Sequence, residues 1–91
     1  MEDLTAMRNI GKEMSRKLRA VGLDSPEKLR EAGAKEAYLR LKLTYPNVCL
    51  VHLYVLEGAI RDEDYNRLSE ETKADLKAFS DYLKGKGGPK P

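Results

Sequence analysis

Apolar residues recur along this chain at spacings of three and four, and no stretch alternates apolar with polar between turn residues. The pattern therefore predicts helices and no strands. A short turn over residues 4–8 puts Leu4 and Met7 on one side, and the chain then bends at Asn9-Ile10-Gly11. A helix over residues 12–20 places Met14, Leu18 and the following Val21 on one face. Gly22 stands where such a helix closes in the left-handed conformation, which glycine enters without a Cβ penalty.

The segment "DSPEKLREAG" carries a start and a stop together. Ser25 is placed to cap, Pro26 takes the first helical position where its missing N–H costs nothing, Glu27 lies in the first turn, and Gly33 ends the element, with Leu29 and Ala32 facing inward. A fourth helix over 35–43 presents Tyr38, Leu39, Leu41 and Leu43, and Tyr45-Pro46 stops it. The stretch 48–60 is apolar nearly all round, which predicts a central helix covered by its neighbours. After the polar link Asp62-Glu63-Asp64, a last helix over 70–84 begins behind Ser69 with acids in its first turn. It presents Leu76, Phe79, Tyr82 and Leu83, and Gly85 ends it. The expectation is an all-α bundle of five or six short helices over residues 1–84, with "GKGGPKP" as a flexible tail at 85–91.

Composition is consistent with one small core: 91 residues, 41% hydrophobic and 35% charged, suit a single well-solvated domain. A lone cysteine, Cys49, has no partner for an internal disulfide, and the first residues lack a charged segment followed by an apolar one. A cytoplasmic location is the corresponding expectation. The longest apolar run, "VCLVHLYVL", is far shorter than the roughly 20 residues that span a bilayer, so no membrane association is expected. Charge is uneven along the chain: residues 8–19 carry five Lys or Arg against one Glu, whereas residues 62–84 carry seven acids against four bases.

Candidate chemistry is sparse. Cys49 and His52, three positions apart on the helix expected at the centre, read as a small apolar filler and a hydrogen-bonded or partly exposed helix residue, and no metal or cofactor is expected. No Walker-type loop, nucleophile elbow or zinc-protease pattern occurs, and an enzyme is not expected. The five tyrosines are scattered and read as half-buried residues with wet hydroxyls rather than a base-stacking platform. Gly58 sits inside a helix, where glycine costs about 0.8–1 kcal/mol relative to Ala. Close helix crossing is the expected reason, and ligand contact through exposed backbone the alternative.

The Asn9-Ile10-Gly11 corner has a logic shared with phosphate sites: a tight turn admits close approach, and the following helix start offers unpaired N–H groups. Lys12, Arg16 and Arg19 then follow at helical spacing, opposite Met14, Leu18 and Val21. The same pattern also fits a solvated helix surface supported by a Glu13–Lys17 pair.

The run "RNIGKEMSRKLRAVGLDSPEKLREAG" resembles a helix-hairpin-helix element. Over residues 4 to about 84, "NIG", "VGL", "LREAGAKEAYLRL" and "LYVLEGAIRD" together resemble the C-terminal domain of TfoX-type (Sxy) regulators of natural competence in bacteria. The resemblance implies a small SAM-like helical domain, often joined to a separate N-terminal α+β domain, in proteins that promote expression of DNA-uptake genes. It implies non-specific nucleic-acid contact through Asn9, Ile10, Gly11, Lys12, Arg16 and Arg19. DNA-binding hairpins have Gly-apolar-Gly at the corner; here Asn9 holds the first Gly position, and Asn tolerates a positive φ. The competing expectation is a protein-interaction or self-association module of SAM-like type, in which the basic start and acidic end support head-to-tail contact.

Overall fold

The caps at Ser25 and Ser69 and the closure at Gly22 act where the sequence puts them. The computed structural model describes residues 3–87, and among these it contains α1 (Lys12–Ala20), α2 (Pro26–Thr44), α3 (Leu50–Arg61) and α4 (Glu70–Gly87). Two 3-10 turns, Leu4–Ala6 and Tyr65–Arg67, complete the described chain, which holds no strand. α1 closes in a Schellman motif: Gly22 N–H donates to the Arg19 carbonyl at 3.1 Å and Leu23 N–H to Leu18 at 2.9 Å. Ser25 caps α2 by accepting from the Lys28 N–H at 3.2 Å, and Ser69 caps α4 by accepting from the Thr72 N–H at 3.1 Å.

The expected five or six short helices are four α-helices, because the stop at Gly33 is a kink rather than an end. Gly33 has φ 86° and ψ 161°, a region essentially reserved for glycine, yet the next residue resumes the helix and the two segments run as one bent element. α4 likewise passes the expected stop at Gly85 and continues to Gly87; residues 88–91 of the expected tail lie outside the described residues.

α3 is central: it packs on α2, on α4 and on the Tyr65–Arg67 turn. Its Leu53 and Leu56 are fully buried in one core cluster with Leu4, Leu18, Leu29 and Leu41. Each such leucine contributes roughly 1.5–3 kcal/mol relative to an exposed one, which makes this cluster the main source of cohesion. Two residues of the apolar sets face solvent: Leu43 is 79% exposed and Tyr82 58%. Tyr38, by contrast, is fully buried, and its hydroxyl lies 3.1 Å from the buried Ser80 Oγ, so this tyrosine does not keep a wet hydroxyl. The hydroxyl pair satisfies both polar groups across α2 and α4.

α3 ends in a second Schellman motif, closed this time by a non-glycine residue. Asp62 has φ 59°, its N–H donates to Ala59, and the Glu63 N–H donates to the Gly58 carbonyl at 2.8 Å. Asp tolerates the left-handed region better than most residues do. This turn is the surface on which the N-terminal corner rests.

No helix among the described residues is long and apolar enough to cross a membrane.

Candidate functional site

The corner at Asn9-Ile10-Gly11 divides into an inward and an outward half. Asn9 takes φ 74°, and its Nδ2 donates to the Glu63 carbonyl at 2.9 Å. Ile10 is 5% exposed and belongs to the core. Arg8 beside them pairs with Asp62 at 3.6 Å. Arg8 and Asn9 thus lock onto the end of α3, and the Arg8–Asp62 pair joins the basic start and the acidic link within one chain.

This docking explains Gly58. A Cβ there would lie 2.5 Å from Asn9 Nδ2 and 2.7 Å from the Glu63 carbonyl oxygen, closer than real Cβ contacts come. The close approach expected for this glycine is real, but what approaches is the corner and the 63–65 link rather than another helix. Gly58 is buried, so its backbone is not open to a ligand.

The outward half starts at Gly11, which is exposed and stands at the N-cap of α1. Lacking a side chain, it gives the first N–H groups of α1 no cap. From there Lys12, Ser15, Arg16 and Arg19 follow at i, i+3, i+4 and i+7, one face of the helix, while Leu18 is buried on the other. Asp3 and Thr5 from the N-terminal turn complete a shallow pocket of about 340 Å³ lined by Asp3, Thr5, Lys12, Ser15, Arg16 and Arg19. The structure therefore brings the three expected cations together and sets Asn9 and Ile10 behind them as the anchor.

Two of the three cations are paired. Arg19 donates to Asp3 at 2.5 Å, and Arg16 donates to Glu13. Among the described residues the Lys12 side chain makes no ion pair or hydrogen bond. The Thr5 hydroxyl and then Arg19 hold the Asp3 carboxyl below its ordinary range, and Arg16 does the same for Glu13. Both carboxylates are fully ionised near neutral pH. Their partners are half or more exposed, and pairs of this kind exchange readily with water and salt.

Ser15 is the residue that sequence reasoning missed. It is 3% exposed, and its Oγ has no hydrogen-bond partner among the described residues. Helical spacing from Lys12 places it on the basic face, but nothing local signals that its hydroxyl is buried and unpaired. Asp3 was missed as well, since no pattern links it to Arg19, sixteen residues along.

The Cys49–His52 pair forms a second small cluster. Cys49 is exposed at the N-cap of α3 and is therefore not an apolar filler. Its N–H donates to His52 Nδ1 at 3.0 Å, and its Sγ lies 3.5 Å from the same nitrogen. Burial, with the charges of Lys17 and Lys42, holds the His52 ring below its ordinary pKa of 6.5 and so in the neutral form that can accept the bond. The arrangement is a reciprocal helix cap. No group of three His, Cys, Asp or Glu able to hold a metal occurs among the described residues.

With this geometry in hand, comparison with known proteins places the chain. Two crystal structures from Listeria monocytogenes, one of an uncharacterized protein in a triclinic form and one of a protein of unknown function in a tetragonal form, share the fold at 37% identity. The triclinic form matches with a TM-score of 0.90 over 92% of this chain and 96% of that one. The tetragonal form matches with a TM-score of 0.86 over 89% and 99%. No curated protein matches. The family model for the TfoX C-terminal domain matches residues 1–80, nearly the whole of the described chain, and the protein belongs to that family.

Proposed function

We propose that this domain is a regulatory nucleic-acid-binding module, acting in competence-related regulation as its family suggests, and that it grips phosphates without reading sequence. The element between the N-terminal turn and α2 serves as a helix-hairpin-helix of SAM-like type. In this reading Asn9 and Ile10 fix the corner against α3, while Gly11, Lys12, Arg16 and Arg19 meet the backbone. The observation that carries it is the convergence of Lys12, Arg16 and Arg19 on one exposed face beside an uncapped helix start. Three clustered cations beside a helix start match phosphate oxygens, contacts that carry no sequence information, so the affinity is electrostatic and modest. The domain performs no chemistry of its own in this account.

Binding of a labelled duplex, followed by anisotropy at two salt concentrations, tests the reading. Three cations neutralising three phosphates predict a log–log salt slope of about −2 to −3. Absence of binding at low salt would overturn it.

A protein-interaction or self-association role is favoured by a different observation: Leu43 and Val51, 79% and 49% exposed, flank the short link between α2 and α3. Under that reading Leu43→Glu would abolish a salt-insensitive dimer seen by sedimentation, and DNA would be ignored.

A further inference from the structure

A buried hydroxyl without a partner is a cost to the fold, and a helical serine ordinarily escapes it by bonding to the carbonyl four residues back. Ser15 does not, although it lies within α1 and the Gly11 carbonyl is engaged by the Ser15 N–H at 2.9 Å. Its residue instead forms part of the wall of the pocket that Lys12, Arg16 and Arg19 surround. The carboxylate of Asp3 lines the same pocket and takes up the Arg19 guanidinium and the Thr5 hydroxyl. The chain's own anion thus occupies donors that an outside anion would need, and one buried donor is left over.

We infer that this pocket seats a single phosphate group, with Ser15 Oγ as its buried donor and Lys12, Arg16 and Arg19 as its charges, and that the Asp3 carboxylate is the internal competitor the phosphate displaces. The inference rests on the reading of α1 as a phosphate-contacting face and gives that face an anchor point. Displacement frees both Arg19 and the Thr5 hydroxyl for the incoming oxygens. A charge-assisted bond to a buried hydroxyl is stronger than one at an exposed tip, so one seated phosphate dominates the contact. The phosphate has two sources, a free anion and a nucleic-acid backbone, which the test separates.

The 15N-labelled chain is titrated with inorganic phosphate at low ionic strength, alongside Ser15→Ala and Asp3→Asn. The expected shifts are saturable and cluster at residues 3–5 and 11–19. Ser15→Ala weakens phosphate about tenfold, the loss of one hydrogen bond to a charged group, while its unfolding midpoint holds or rises because the orphan hydroxyl is gone. Asp3→Asn tightens phosphate about threefold by removing an exposed competitor. Unchanged affinity in Ser15→Ala, or shifts scattered over lysines elsewhere, would overturn the inference. Duplex anisotropy with the same variants separates the two claims. Duplex bound equally by wild type and Ser15→Ala removes the pocket and leaves the nucleic-acid reading standing. Ser15-dependent seating of free phosphate with no duplex binding keeps the pocket and removes that reading.

Discussion

The two halves of the corner are adjacent in sequence and opposite in physics. Asn9 and Ile10 are committed to the fold, one bonded to the Glu63 carbonyl and the other buried, whereas Gly11 is exposed and, of the cations after it, Arg16 and Arg19 form solvent-screened pairs and Lys12 forms none. The left-handed Asn9 makes the division possible. It turns the backbone so that Ile10 enters the core while Lys12 starts a helix facing outward. A face built this way inherits its rigidity from contacts it does not itself use, an arrangement that suits the phosphate-contacting role proposed for it.

Mutations should separate the halves, and the largest effect belongs to the anchored one. Ile10→Ala deletes a core side chain and should lower stability by about 2–5 kcal/mol in denaturant unfolding. Gly58→Ala forces a Cβ against the Glu63 carbonyl and should cost about 1–3 kcal/mol, because backbone must move. Asn9 offers a sharper comparison. Asn9→Ala loses the bond to Glu63 and also strains φ, for a total of about 2–3 kcal/mol; Asn9→Gly loses the bond alone, about 1 kcal/mol. Equal losses in these two variants would mean that backbone strain plays no part.

The smallest expected effect is a pH dependence at the α3 cap. His52 has a lowered pKa in the fold, so between that value and 6.5 the unfolded chain binds more protons than the native one. Stability then rises with pH through this window, is complete above 6.5, and falls as acid protonates the ring and breaks its bond from the Cys49 N–H. The unfolding midpoint of the wild type should therefore drop on mild acidification, and that of His52→Gln should drop less.

Local chemistry was legible in the sequence. Lys12–Ala20 emerged with the bounds its spacing implies, as did the Ser25 and Ser69 caps and the closure at Gly22, because each is decided within a few residues. What stayed hidden depends on residues distant in sequence. The contact of Gly58 with Asn9 spans 49 positions, and Tyr38 finds Ser80 across 42; no periodicity reports such pairs. The basic face was legible as a stripe, but its Asp3 competitor and the buried state of Ser15 follow from how the N-terminal turn folds back over α1. A glycine at position 33 signals an end because positive φ usually terminates a helix, but here the next residues resume at once.

The outward half is tested most directly by anisotropy of a labelled duplex at low salt, comparing wild type with Arg16→Glu/Arg19→Glu. The account predicts saturable binding by the wild type and none by the double variant, whose unfolding midpoint falls only slightly because the exposed pairs it loses, Arg16–Glu13 and Arg19–Asp3, contribute little. Equal binding by the two proteins, or binding by neither, would contradict it.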